Sequence, residues 1–194
     1  MKKNKPLTIS KGCYGYINQR KKRHLIYTIL EFAVVFGIFF LGIAILKTKN
    51  SIFSVAAVLT TLPATKMAIS YIILIDKKSP DEAIYKSLCQ IAKPSEILSD
   101  LIFSSPEKLM PVDFLIASQG KVLLFVSNPK ADLKKTTDYV KGLVQKDYHC
   151  KSFQIYTDAE KYIANVKNAM NLNETKDEKK IINQLYKNLL PFCV

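Results

Sequence analysis

The sequence predicts a membrane α-helical hairpin, made of two transmembrane helices, followed by a cytosolic α/β domain. Two apolar runs, Leu25–Leu46 and Ser51–Ile75, follow each other closely behind a Lys/Arg-rich head. The tail that follows alternates helix-start signals with short apolar runs. We therefore divide the chain into a basic head (1–24), a hairpin (25–75) and a tail domain (76–194).

The first apolar run is long enough to cross a bilayer. Its about 22 residues, at about 1.5 Å each, make roughly 33 Å of helix, against a hydrocarbon core of about 30 Å. A secretory signal peptide has an apolar part of only about 7–15 residues, followed by small residues at the cleavage site. This run ends in Leu46-Lys47 without such a site. We interpret it as an uncleaved anchor.

Positive charge predicts the orientation of the hairpin, because Lys and Arg flanking a span resist translocation. Residues 1–23 hold eight basic groups and no acid, whereas the turn between the runs holds only Lys47 and Lys49. We expect a multi-pass protein of the inner cell membrane with both termini in the cytoplasm. The basic groups nearest the first run form a cluster suited to anionic lipids: Arg20, Lys21, Lys22 and Arg23.

The net charge of +13 is distributed in a way that argues against a nucleic-acid partner. The head holds most of the excess, while residues 76–194 hold eighteen Lys against fifteen acids. Nucleic-acid binding requires a concentrated basic surface, which this tail lacks. We expect the bilayer and an unidentified protein as partners, and the sequence leaves assembly into homo-oligomers open.

Two ionisable residues interrupt the apolar runs, Glu31 in the first and Lys66 in the second. If the hairpin turns between Thr48 and Lys49, residues whose numbers sum to about 97 lie at the same depth, and these two do. Ionisable groups are costly in lipid and usually face a partner, so we predict an intramembrane Glu31–Lys66 ion pair. The alternative is that each side chain extends separately to the headgroups.

Backbone features of the two runs predict how the helices bend and approach each other. Pro63 predicts a kink in the second span because proline removes a helix hydrogen bond, and neighbouring threonine hydroxyls can satisfy freed carbonyls. Ala33 and Gly37, four residues apart in the first span, form a spacing that permits close helix approach.

The tail predicts the element order α-β-β-β-α-β-α-α. Helix starts are indicated by Ser79-Pro80-Asp81-Glu82, by Asn128-Pro129, and by capping boxes that begin at Thr157 and Thr175. The last helix is expected to turn Ile181, Ile182, Leu185 and Leu189 inward. The expected strands span residues 98–103, 112–117, 122–126 and 152–156.

The strand patterns also predict how the sheet is connected. The second and third strands are joined by a turn at Ser118-Gln119-Gly120-Lys121. The fourth follows a helical crossover and is therefore parallel to one of the others.

The cysteines and histidines give no metal or disulfide pattern. None of the four cysteines forms a Cys-x-x-Cys pair, and only two histidines occur in the chain. We expect free thiols, no metal site and no cofactor. The cysteines are Cys13, Cys89, Cys150 and Cys193.

The stretch Pro111–Lys130, together with the element order, resembles the restriction-endonuclease-like superfamily and its membrane-associated nuclease-related domains. That family carries a metal-binding Asp on one strand and an (Asp/Glu)-x-Lys motif on the next. The resemblance implies that Asp113 stands at the first metal-binding position and Lys130 at the motif lysine. Asn128 then occupies the acidic position, where a neutral amide is a weaker ligand for a hard cation.

Two functions follow as expectations. The first is a membrane-anchored protein whose domain binds or scaffolds a partner without catalysis. The alternative, implied by the resemblance, is a membrane-tethered metal-dependent nuclease or phosphodiesterase with Asp113 and Lys130 as catalytic candidates. An enzyme would gather these two around one cleft with a second carboxylate, for which the candidates are Glu82, Asp100 and Asp132.

Overall fold

The chain forms two compact units in this computed structural model, which describes residues 9–46, 52–105, 108–171 and 176–194. One unit, here called the hairpin, is Ile17–Lys78, and the other, the domain, combines the residues up to Tyr16 with Ser79–Val194. The structure thus divides the chain differently from the predicted head, hairpin and tail. Residues 9–16, here called the N-terminal segment, belong to the domain.

The hairpin consists of two long apolar helices, as predicted. Helix α1 spans Tyr16–Leu46 and helix α2 spans Ile52–Ile75. Only 11% of the most apolar window of each helix is buried. A core helix of a soluble protein would be mostly buried, so these helices leave their apolar side chains outside.

Three of the buried positions of the hairpin are small residues, and two pairs of buried positions lie at heptad spacing. Val35 and Gly42 are buried on α1, and Ala57 and Ala64 are buried on α2. Residues seven apart lie on one helix face, and small residues allow two backbones to approach closely. The predicted pair Ala33 and Gly37 lies elsewhere, on an exposed face, where a Cβ on Gly37 would meet no atom within 4 Å.

Helix α2 continues through Pro63. Three threonine hydroxyls beside it donate to backbone carbonyls of their own helix, Thr60 to Ala56, Thr61 to Val58 and Thr65 to Thr61. These side-chain bonds give the hydroxyls partners inside an apolar helix.

The domain has the predicted element order and a four-stranded sheet. Strands β1, β2 and β3 form an antiparallel meander, and β4 pairs parallel to β3 after a helical crossover. The elements are α3 (Glu82–Ile91), β1 (Leu98–Ser104), β2 (Leu109–Ser118), β3 (Lys121–Phe125), α4 (Leu133–Asp147), β4 (Ser152–Tyr156), α5 (Ala159–Met170) and α6 (Lys176–Leu189).

Helices cover both faces of the sheet and create two hydrophobic cores. Helices α4 and α6 pack on one face, and α3 and α5 pack on the other. Strand β3 contributes alternate residues to the two cores, with Val122 and Leu124 on one side and Leu123 and Phe125 on the other. Its continuous apolar sequence is therefore that of a strand buried on both faces.

Three helix starts differ from the prediction because an aspartate lies closer to the free N–H groups. Asp81 caps α3, Asp132 caps α4 and Asp158 caps α5 through their carboxylates. Helix α4 therefore begins at Leu133, not after Asn128. The capping box at Thr175 lies outside the described residues.

One residue of the last helix that was predicted to face the core is exposed. Ile182, Leu185 and Leu189 are buried, but Ile181 is 49% exposed. Two adjacent helical residues point roughly 100° apart, so both cannot lie at the centre of the inner face.

The predicted turn between β2 and β3 is present. Gln119 and Gly120 both have positive φ, as a tight two-residue turn requires.

Candidate functional site

The N-terminal segment is bonded into the domain near the start and the end of the tail. Ser99 donates its backbone N–H to the carbonyl of Gly12 at 2.8 Å. Lys11 donates its ammonium to the carbonyl of Cys193 at 2.9 Å. The segment thereby reaches both β1 and the C-terminal residues of the chain.

Gly12 fits a position that no other residue type fits without strain. Its φ is +81°, which L side chains rarely adopt. A Cβ there would lie 2.8 Å from Cδ2 of Leu98 and 2.9 Å from Cδ2 of Leu190. The backbone of the segment therefore lies directly against two apolar side chains of the domain.

Tyr14 connects the two flanks of the hairpin. Its ring stacks on Tyr85, with centroids 4.3 Å apart and planes 9° from parallel. Its hydroxyl donates to the carbonyl of Pro80 at 3.2 Å. Burial, and then the nearby carboxylates of Glu82, Asp100 and Asp81, raise the pKa of Tyr14. The hydroxyl therefore keeps its proton and can donate it.

Tyr14 is the outer member of an aromatic column that crosses the domain. Each ring contacts the next at a centroid distance of 4.3–6.3 Å, a range in which aromatic pairs attract. Burial is the main cause that raises the pKa of Tyr85 to about 12. In order, the rings are Tyr14, Tyr85, Phe114, Phe125, Tyr162 and Tyr156.

Asp100 lies inside the domain rather than in a cleft. It is 2% exposed, has a φ of +57° and accepts a hydrogen bond from the hydroxyl of Ser79 at 3.1 Å. Asp is one of the few residue types that tolerate left-handed backbone. Ser79, predicted as a helix cap, thus fixes the first residue after the hairpin to β1.

Asp113, the first catalytic candidate, accepts a short hydrogen bond from the backbone N–H of Ser127. Burial raises the pKa of this carboxyl, and the bond from Ser127 opposes the rise. The bond joins β2 to Ser127, which follows Val126 shortly after the end of β3. A local structural bond therefore already uses this carboxylate.

The other candidates of the implied catalytic motif lie in separate roles. Lys130 is exposed, and its backbone N–H donates to the side chain of Asn128 at 3.0 Å in a turn. Asp132 caps α4, and Glu82 pairs with Lys86 at 2.9 Å on the surface. Among the described residues, no three His, Cys, Asp or Glu side chains gather to hold a metal ion.

Glu31 and Lys66, predicted to lie at one depth, differ in how far each is turned from the buried residues of its own helix. Lys21 donates its ammonium to the carbonyl of Ile75 at 2.6 Å, a contact that fits the predicted depth register. Glu31 is turned only roughly 40° from the buried Val35, whereas Lys66 is turned roughly 160° from the buried Ala64.

The structure accordingly forms no Glu31–Lys66 ion pair in the part of the chain that it describes. Lys66 is exposed, and one carboxylate oxygen of Glu31 is buried without a hydrogen-bond partner. The ion pair stays a prediction that requires one helix to rotate.

Two residues of the predicted lipid-binding cluster have partners inside the hairpin. Lys21 caps the C-terminus of α2, where a cation is favourable because the last carbonyls carry partial negative charge. Arg20 donates to the imidazole of His24 at 3.2 Å. Lys22 is exposed.

The four thiols are unpaired, as expected, and differ in access. Cys13 is exposed, Cys89 and Cys150 are half-buried, and Cys193 is buried. Burial raises the pKa of Cys193 to about 12. A raised pKa disfavours the thiolate, which is the form that reacts with labelling reagents. Cys13 is the exposed thiol and is therefore the most accessible one for chemical labelling.

Sequence reasoning missed the docking of the N-terminal segment and the burial of Asp100. Two signals were present: the glycines flanking Cys13-Tyr14, and an aspartate directly before the apolar run of β1. Comparisons with protein-family models, with curated proteins and with solved structures found no match to this chain.

Proposed function

We propose that the hairpin anchors this protein in the inner cell membrane and that the domain binds or scaffolds a protein partner in the cytosol. The observation that carries the anchoring is the exposure of the hairpin. Nearly all exposed large apolar side chains of the described residues lie in α1 and α2; only Ile181 and Phe192 lie in the domain. Water does not tolerate apolar surface on this scale, whereas lipid does.

The assembly of the domain from two stretches of chain supports two crossings of the membrane. Its two stretches of chain flank the hairpin, and the Tyr14–Pro80 hydrogen bond joins the flanks directly. A folded domain of this kind requires both stretches on one side of a membrane, so an even number of crossings separates them. The basic groups that precede the apolar run Leu25–Leu46 favour the cytosolic side.

The positions of the candidate acids support binding over catalysis. Asp113 is bonded to Ser127, Asp132 caps a helix, and Lys130 lies on the surface. Metal-dependent hydrolysis needs carboxylates gathered on a cation that activates water. Titration of the full chain with Mn²⁺ and Mg²⁺ tests the nuclease alternative, which requires binding that Asp113→Asn abolishes.

The exposed Cys13 allows a direct test of the anchoring and orientation. In a chain with Cys89→Ala and Cys150→Ala, a membrane-impermeant maleimide should label Cys13 in inverted vesicles and not in intact spheroplasts. A matched chain with Cys13→Ala and Thr48→Cys should show the opposite pattern. Extraction of the protein by alkaline carbonate, or labelling of Cys13 from outside, would contradict the proposal.

A further inference from the structure

The domain is assembled from two stretches of chain that the hairpin separates. The N-terminal segment comes before the hairpin, and residues 79–194 come after it. Hydrogen bonds between described residues join the stretches, among them those from Ser99 to Gly12, from Lys11 to Cys193 and from Tyr14 to Pro80. The last bond closes the base of the hairpin, because its partners lie just before α1 and just after α2.

We propose that the N-terminal segment is a topological latch, which completes the domain only when both flanks of the hairpin emerge on the same side of the membrane. This inference rests on the proposed anchoring and adds a folding condition to it. With a single crossing, the segment and the rest of the domain would lie in different compartments. The site of the segment would then be empty.

The site is specific enough for such a latch. Gly12 is held at a backbone conformation that favours glycine, with Leu98 and Leu190 in the space that a Cβ would take. Tyr14 adds a near-parallel stack on Tyr85, which in turn stacks on Phe114 of the core. Without the segment, the Tyr85 ring and the two leucines would lose this cover, and exposed apolar surface destabilises the domain.

Hydrogen exchange of the Ser99 amide reports on the latch, because this amide donates to Gly12. In the full-length chain in lipid nanodiscs, Gly12→Ala should speed Ser99 exchange roughly tenfold, as expected from the cost of left-handed backbone for a residue with a Cβ. Cys13→Ala is the matched control, because Cys13 is exposed on the same segment. It should leave the exchange unchanged. Equal exchange in Gly12→Ala and wild type would overturn the latch.

A pair of chains with different numbers of crossings tests the topological condition. Deletion of residues 52–75 leaves one span, and replacement of the same residues by an unrelated Leu/Ala span of equal length keeps two. We expect the one-span chain to lose Ser99 protection and become protease-sensitive, and the replaced chain to keep both. Persistent Ser99 protection in the one-span chain would overturn the condition.

The two levels of the proposal fail in different ways. A chain that does not float with lipid vesicles refutes the membrane anchoring and, with it, the topological condition. The Gly12→Ala measurement can be made in detergent without any membrane, so it judges the docking of the segment separately.

Discussion

The hairpin and the domain differ in where most of their large apolar side chains lie. In the domain, large aromatic and aliphatic side chains such as Phe114 and Tyr162 are fully buried. In the hairpin, most residues of the same kind are outside, as Phe36 shows at 56% exposure, while Ala57, Ala64 and Leu74 are inside. The domain excludes water from its large apolar side chains, whereas the hairpin leaves most of its own outside, which is the arrangement that the proposed lipid surroundings require.

The largest expected effect comes from removing one phenylalanine in each region. Phe114→Ala should destabilise the domain by about 3–5 kcal/mol, because it opens a cavity in the aromatic column. Phe36→Ala, on the outside of α1, should leave domain unfolding unchanged. Chemical unfolding followed by tyrosine fluorescence measures both. Equal losses in the two variants would erase the contrast between the regions.

A smaller effect is expected from enlarging a small buried residue of the hairpin. Ala64→Leu should weaken hairpin packing by about 1–3 kcal/mol, because Ala64 is completely buried and has no space for a larger side chain. The control is Ala56→Leu on the exposed side of the same helix. Resistance of the hairpin to proteolysis in vesicles is the measurement. If Ala56→Leu were the more disruptive change, the assignment of Ala64 to the packed face of α2 would be wrong.

Loss of a single hydroxyl sharpens the comparison at the boundary between the regions. Tyr14→Phe keeps the ring on Tyr85 and removes the bond to Pro80. We expect a loss of about 0.5–1.5 kcal/mol in domain stability. The matched control is Tyr139→Phe, which removes a surface hydrogen bond to Ser104. Tyr16→Phe is not suitable as a control, because Tyr16 begins α1.

The raised pKa values of Tyr14, Tyr85 and Cys193 give the domain an alkaline limit. Their folded forms hold protons more tightly than the unfolded chain, so these groups leave stability constant below about pH 9. Stability should fall as pH rises from about 9 to 12, because the unfolded state releases protons first. Unfolding free energies measured between pH 7 and 12 show whether this decline occurs.

The smallest effect is expected from Asp113→Asn. Asp113→Asn should change domain stability by less than about 0.5 kcal/mol, because the amide oxygen can still accept from Ser127 and no buried charge remains. Asp113→Ala removes the acceptor and should cost about 1 kcal/mol or more. Thermal unfolding of the two variants compares these values directly.

Sequence periodicity was sufficient for the elements and insufficient for the contacts between distant residues. The apolar runs and the uninterrupted strand Val122–Val126 predicted the hairpin and the central strand, because local patterning determines them. The same reasoning placed Glu31 and Lys66 at one depth and could not see that they occupy different helix faces. Docking of the N-terminal segment depends on residues far apart in the sequence, such as Gly12 and Ser99, and no local pattern encodes such a pairing.

The corrected helix starts teach a smaller lesson about local competition. Ser79 and Asn128 both carry good capping side chains, yet an aspartate nearer each helix takes that role. Ser79 is then free to bond Asp100, and Asn128 stabilises a turn instead. Tertiary contacts therefore decided between caps that the sequence presents as equivalent.

Replacement of residues 17–78 by a short flexible linker tests most directly whether the hairpin is a membrane insertion within a domain. The account predicts a water-soluble protein with cooperative unfolding, a protected Ser99 amide and no association with lipid vesicles. A product that stays with vesicles, or that is soluble but unfolded, would contradict the division of this chain into a lipid-facing hairpin and a self-contained domain.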